Sequence, residues 1–389
     1  MTDPSPLSSA KMSRRGVLAL VSGGIIVAAS AGAGVYATTR DPAAARAPWE
    51  EAGRLYDDPV RNALSYALTA PNPHNRQPWL IALHGERSAT LYCDDNRLLP
   101  ATDPFSRQIM IGLGCFLEVL RLAASNDGYE AVIDLFPQGY PHDGVQADLP
   151  VAQIELRSTN QVSDPLAEHI LARRSMKEPH DLTLGVTADT VMALQPEITG
   201  FAIAAQEVEA FRDLAFRAHE MEVFTDYTMQ ESIDLMRFTR AQIEANPDGI
   251  ELGGVFLESL YRLGQMTPQA LQDHDSMAFQ TGLDIYRELI FSSSGFVWFT
   301  TPGNTRQDQI MAGMDYVRAN LKATAIGLGI HPLSQALQEY PEMDDLRAEM
   351  DEVVGVNPGE RLQMFARIGY GPTALPTPRW PLSNRLINA

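Results

Sequence analysis

The chain has 389 residues, of which 45% are hydrophobic and 20% charged, with a formal net charge of −19. That composition is globular and excludes disordered and fibrous classes. The charge argues against nucleic acid, whose phosphates require clustered Lys and Arg. The two cysteines, Cys93 and Cys115, have no metal-ligand spacing and read as buried thiols, and there is no Walker-type loop, no His-Glu-x-x-His motif and no solenoid-range repeat.

Residues 1 to about 40 stand apart. Ser13-Arg14-Arg15-Gly16-Val17-Leu18 leads into an uncharged run from Gly16 to Thr39. The segment resembles a twin-arginine export signal, and its length would also suit a membrane anchor. Gly23, Gly24 and Gly32 to Gly34 lower its helix propensity, which fits a signal better than a stable span. A cell-envelope or periplasmic location is therefore expected, reached through the twin-arginine export machinery.

Asp41 to Trp49 reads as an Ala/Pro linker, 41–49, and the folded part as 50–389. Its first half, about 50–160, is predicted as a helix (50–69), a Pro-rich loop, strands at 78–84 and 89–93, a long helix at 106–124 carrying Gly112 and Gly114, and strands near 130–136 and 151–156. The second half, about 161–389, opens at Asp164-Pro165, an N-cap followed by proline at the first helical position. Helices are predicted at 165–174, 187–195, 206–220, 230–244 and 250–264, then a strand at 295–300. A second long helix follows at 306–327 with Gly313 inside it, then a helix near 343–354, a strand at 361–369 and a Pro-rich tail from Pro372 to Pro381, which cannot be helical. Residues 221–282 are rich in Met, Gln and aromatics and carry little strand signal; most of these side chains read as core, with part of 221–265 as a lid. The histidines His74, His169, His180, His219, His274 and His331 share no metal spacing, and His74 is singled out by its place in the Pro-rich loop.

Pro71 and Pro73 in Ala70-Pro71-Asn72-Pro73-His74-Asn75-Arg76-Gln77-Pro78-Trp79 stop a helix and stiffen the loop, displaying polar amides ahead of a strand. This stretch resembles the Ala-Pro-Ser-x-x-Asn-x-Gln-Pro-Trp signature of FMN-dependent nitroreductases; Asn75, Gln77, Pro78 and Trp79 match, and Asn72 stands in place of Ser. Arg173, Ser175 and Lys177 are spaced to place a guanidinium, a hydroxyl and an ammonium about one phosphate, although basic residues also suit a helix C-terminus. They resemble the family's Arg-x-Ser-x-Arg/Lys element. Thr377-Pro378-Arg379 resembles its C-terminal segment. Arg367 reads equally as a ligand or as a structural ion-pair residue. Gly329-Ile330-His331-Pro332-Leu333-Ser334-Gln335 occupies the place of the family's Pro-x-Glu-Gly turn, with Ser334 and Gln335 replacing Glu and Gly.

The resemblance, to the Acg-like fused branch, implies an α+β nitroreductase-like fold: two fused pseudo-symmetric halves around one flavin site, monomeric because both halves lie in one chain. It implies FMN as cofactor, NAD(P)H or another donor, and a nitroaromatic, quinone or similar acceptor. The implied cofactor contacts are Arg173, Ser175, Lys177 and Arg379 at the phosphate, and Pro71, Asn72, Asn75, Pro332, Leu333, Ser334 and Gln335 along the ribityl chain and ring, with no side chain required as acid or base. The alternative is a flavin-binding or flavin-sequestering envelope protein with little turnover.

Overall fold

The computed structural model describes residues 41–388; the predicted export segment, 1–40, lies outside the described residues. The first departure from expectation comes at once. Residues expected as a linker form helix α1, Ala43–Glu51. Its Ala-rich start favours helix, and docking supplies the rest: Trp49 is buried and its Nε1 donates to Thr377 O at 2.8 Å, while Arg46 Nε donates to Pro376 O at 2.7 Å. Helix α2, Pro59–Ala67, is separate, because Asp58 caps it by accepting from Arg61 N and Pro59 opens it. The single helix expected over 50–69 is thus two.

Strands β1 (Trp79–Leu83) and β2 (Ser88–Cys93) form a hairpin, followed by α3 (Arg107–Asn126), β3 (Tyr129–Leu135) and β4 (Ala152–Ser158). Helix α3 is long and apolar enough to cross a membrane, but it is mostly buried and serves as the core helix of this half. Asp164 caps a 3-10 turn, Pro165–His169, rather than a helix reaching Arg174.

The second half contains α4 (Ala188–Met192), β5 (Gly200–Ala202), α5 (Ala205–Phe224), α6 (Asp226–Leu235), β6 (Met236–Arg237), α7 (Arg240–Ala245), β7 (Ile250–Glu251), α8 (Val255–Arg262), α9 (Pro268–Gln272) and α10 (Met277–Phe291). Helices α9 and α10 are missing from the sequence reading. The helix expected over 230–244 breaks where Thr239 starts a new capping box with Gln242. Strand β8 (Gly295–Thr301), α11 (Arg306–Ala325), β9 (Gly329–Pro332), α12 (Asp344–Val354) and β10 (Arg361–Gly369) follow, and the tail ends in β11 (Leu386–Ile387).

The sheets order as β11-β1-β2-β4-β3, β5-β8-β10-β9 and the pair β6-β7. Strand β11 pairs parallel with β1, so the end of the second half completes the first half's sheet. Helices α3 and α11 cross between the two larger sheets. A Cβ on Gly114 would lie 2.1 Å from Ile310 O, and one on Gly313 would lie 2.0 Å from Ile111 O. The expected α+β fold of two halves joined through Gly-bearing helices is the one observed. Residues 226–280 close a small core of their own, with Met229, Ile233, Phe238, Leu271 and Phe279 buried together.

Candidate active site

The Pro-rich loop is strained. His74, Asn75 and Gln77 all adopt positive φ, at 45°, 52° and 51°, and each such residue costs of order 1 kcal/mol or more. Hydrogen bonds hold it. The Gln77 side chain donates to Pro247 O at 2.7 Å and accepts from Trp380 N at 2.9 Å, and Gln77 N donates to Asn72 Oδ1 at 2.7 Å. Asn72 Nδ2 donates to Ala70 O, Asn75 Nδ2 donates to Pro378 O, and Asn75 Oδ1 accepts from Arg379. The side-chain amides of Asn72 and Asn75 are therefore committed to the loop and the tail, which corrects the expectation that they are free to meet a ligand: polar groups in so crowded a place must find internal partners. Pro71 is half-buried at the start of the loop. The Asn-x-Gln-Pro-Trp stretch acts as a staple between halves, ending at Trp79, which is buried against Phe116 with ring centroids 4.8 Å apart.

Arg173 and Arg379 converge on the C-terminal end of α2. Arg173 Nη2 donates to Thr69 O at 2.8 Å; Arg379 donates to Leu68 O, Thr69 O and Ala70 O at 2.7, 3.2 and 3.1 Å. Open carbonyls at a helix C-terminus attract cations. Every nitrogen of the Arg379 guanidinium has a protein acceptor, so this residue rivets the tail and contributes charge, a correction to the free phosphate ligand expected. Arg173 differs: its Nη1 is buried with no partner. Trp49 lies beneath this group, with the guanidinium carbons of Arg174, Arg379 and Arg173 at 4.6, 5.5 and 5.9 Å from its ring. Among the described residues no carboxylate lies within 4.0 Å of Arg173, Arg174, Lys177 or Arg379.

The spacing of Arg173, Ser175 and Lys177 does not bring them round one point. Ser175 faces the Tyr316 hydroxyl on α11. Lys177 turns instead to a recess shared with His74 and His331. By area Lys177 is exposed and both histidines are half-buried, yet burial is the largest cause of the lowered pKa of all three. Groups that solvent reaches while protein crowds them line a recess. Burial, with Lys177 and Arg76 behind it, brings His74 to about 4, so its ring is neutral at pH 7. Glu251 opposes the lowering of Lys177, and Arg379 adds to it.

The 332–335 segment follows from β9. Pro332 pairs with Ala366, and Leu333 is buried with its N–H on Phe365 O at 2.9 Å. Ser334 then precedes a 3-10 turn beginning at Gln335. Among the described residues the N–H groups of Ser334 and Gln335 have no acceptor. The Gln335 side chain reaches Glu222, a carboxyl buried on α5, raised above the usual range by burial and also bonded by Gln338 at 3.1 Å.

The lid expected at 221–265 corresponds to part of the 226–280 module, and it is tied down. Asp248 pairs with Arg97, with Arg237 at 3.2 Å and with Arg76 at 3.8 Å. Gly249 N donates to Asn75 O, and Glu251 pairs with Arg46 of α1 at 2.5 Å. Two surface depressions, of about 280 and 390 Å³, lie elsewhere, beside Phe211 and beside Glu231.

Trp49, Glu222 and Asp248 escape the sequence reading. Trp49 sits in an Ala/Pro run that looks like linker, and the acidic pair carry no motif. Arg367 forms no ion pair among the described residues; four acceptors of the protein hold it.

No protein-family model matches the chain. A Mycobacterium tuberculosis protein named "Putative NAD(P)H nitroreductase acg" is 31% identical over 175 residues, covering 40% of this chain and 50% of its own. A second M. tuberculosis protein with the same kind of name is 25% identical over 338 residues, covering 83% and 90%. The solved FMN-dependent nitroreductase NfnB of Mycobacterium smegmatis, in complex with NADPH, is 18% identical and covers 56% of this chain and 96% of its own at a TM-score of 0.34, a superposition that adds nothing to the sequence relationship. The chain is thus a homologue of nitroreductase-like proteins of the Acg kind, with its two halves in one polypeptide.

Proposed function

We propose that the protein is an FMN-dependent oxidoreductase, moving two electrons from NAD(P)H or another donor to a nitroaromatic, quinone or similar acceptor. One observation carries the reading. In a chain of net charge −19, Arg173, Arg174 and Arg379 are gathered over Trp49, with Lys177 in the neighbouring recess; none has a carboxylate within ion-pair distance among the described residues, and Arg173 keeps a buried, unpartnered N–H. An uncompensated buried charge is costly, and a bound phosphate would relieve it. The residues present therefore fit a flavin mononucleotide: Arg173 as direct phosphate ligand, Arg174, Arg379 and Lys177 as surrounding charge, and the free N–H groups of Ser334 and Gln335 as donors to a ring edge.

FMN, when bound, supplies a ring that accepts a hydride and passes on two electrons. The chain's own part is to anchor, orient and enclose. Arg173 anchors the phosphate end. The strained Pro-rich loop, stapled by Gln77 and Asn75, keeps the recess wall rigid, and His74 stays neutral in it. The module of residues 226–280, clamped by Asp248, keeps water from the far side.

The same clamp favours a second reading, a flavin-holding protein with little turnover. Purified residues 41–389 should be yellow and release FMN on denaturation; a colourless protein that FMN cannot reconstitute overturns both readings. Rapid reduction by NADH or NADPH in stopped flow separates the enzyme from the carrier. We also propose that the protein reaches the cell envelope through the twin-arginine route, on the strength of Arg14 and Arg15 before an uncharged run.

A further inference from the structure

Arg367 has no place among the phosphate ligands above, yet the recess is built on it. It is fully buried on β10 and is the cross-strand partner of His331 on β9. Its Nε donates to His331 Nδ1 at 3.1 Å, and its Nη1 to Leu289 O at 3.0 Å. Its Nη2 donates to Met176 O at 2.8 Å and to Glu178 O at 2.7 Å. Those two carbonyls flank Lys177, so one guanidinium grips the backbone on both sides of the recess ammonium. Met176 N donates to Ile330 O at 3.1 Å, which runs the segment bearing Lys177 beside the strand bearing His331.

The chemistry of the Arg367–His331 contact is one-sided. A guanidinium has donors and no acceptor, so His331 Nδ1 must accept and the ring proton must sit on Nε2. A second proton on Nδ1 would face a cation. The charged and titratable groups about the ring are Arg367, Lys177 and His180; burial first, and then these three, hold His331 well below the ordinary histidine range.

We propose that Arg367 is a positioning residue that presents the Lys177 ammonium and the neutral His331 Nε2–H as a paired donor, suited to an electron-rich oxygen of a small substrate such as a nitro, quinone or carboxylate oxygen. Both members only donate on the recess side, so the pair selects for oxygen acceptors and against cationic ligands. The inference rests on the flavin reading for its place in a reaction, but the tautomer and the donor pair exist without flavin and are measured without it.

Nitrogen NMR of the histidine-labelled, flavin-free full chain tests this. His331 should give the Nε2–H tautomer and no titration across roughly pH 5 to 8, and benzoate, as an oxyanion probe, should shift its Nε2 signal. In Arg367→Gln, His331 should lose its fixed tautomer and its titration should move up toward the ordinary range without reaching it, because burial and Lys177 remain, and Lys177→Met should weaken benzoate binding ten-fold or more. A purely structural Arg367 would lower the thermal midpoint and leave the tautomer unchanged, which overturns the proposal. So does an Nδ1–H tautomer or an ordinary titration in the unsubstituted protein, a result that stands even if Arg367→Gln fails to fold. Benzoate that leaves the Nε2 signal in place refutes the oxygen-recognition role. If FMN never binds while the tautomer is as stated, the flavin reading fails and the donor pair survives.

Discussion

Gly114 on α3 and Gly313 on α11 are reciprocal contacts: each brings its helix against the other's backbone, at Ile310 O and Ile111 O respectively. Cys115 Sγ donates to Gly313 O at 3.1 Å in the same crossing. This contact joins the halves, and neither glycine has room for a methyl group. Gly114→Ala or Gly313→Ala forces the helices apart, and overpacking of this kind costs about 3 kcal/mol. Chemical denaturation should show a lowered midpoint for either variant. An unchanged midpoint would mean that the crossing slides freely and does not fix the pairing of the halves.

Because that crossing lies within one chain, the soluble part should be monomeric and take up one flavin. Light scattering with flavin quantification checks this. A tight dimer carrying two flavins would contradict the arrangement.

Arg173→Ala removes a guanidinium whose Nη1 is buried and unpartnered. A hydrogen bond to a charged group contributes about 1.5–3 kcal/mol, so FMN affinity should fall ten-fold or more with the fold retained. Arg379→Ala should behave differently. Its hydrogen bonds go to the Pro-rich loop and the end of α2, so tail docking and thermal stability should fall along with affinity. Equal affinity in the Arg173 variant and the parent protein would place the phosphate elsewhere.

Asp248 predicts an acid-sensitive clamp. Burial alone would raise its pKa, but Arg97, with Arg76 and Arg237, outweighs burial and holds it below the usual value of 3.8. A depressed carboxyl stabilises the fold above its unfolded pKa and loses that contribution as pH falls through the folded value. The module of residues 226–280 should therefore stay docked at neutral pH and loosen only below about pH 4. Asp248→Asn leaves three arginines around a neutral amide, and breaking a buried pair costs about 3 kcal/mol. Hydrogen exchange over 226–280 should accelerate in that variant at pH 7. Protection equal to the parent's would show that the ion cluster is not the clamp.

The export proposal is tested by changing Arg14 and Arg15 together to Lys. Charge is kept, so an ordinary positive-inside anchor would still insert, whereas a twin-arginine receptor should reject the variant. Fractionation that finds the double variant in the envelope as before removes the export argument.

Much of this protein is legible residue by residue. The periodicity of 106–124 and 306–327, with glycine inside each, identifies the two core helices, because burial at helical spacing is a local property of the chain. Strand β10 is read at its observed bounds, Arg361–Gly369, and Asp164 is identifiable as a cap from its own side chain and the proline after it. The Asn75-x-Gln77-Pro78-Trp79 run points to a site by its pattern alone. What the side chains of that site face is settled by distance in space and not in sequence. Arg379 meets Leu68 O across 311 residues, and Arg367 meets Met176 O across 191. Helix α1, with Pro48 inside it, holds because Trp49 docks on the tail, and the two residues of β11 are a strand only because β1 offers an edge. Spacing placed Arg173, Ser175 and Lys177 together, but tertiary structure sent Ser175 to Tyr316 and Lys177 to the recess with His74 and His331, since buried donors go to whichever acceptors the fold brings within reach.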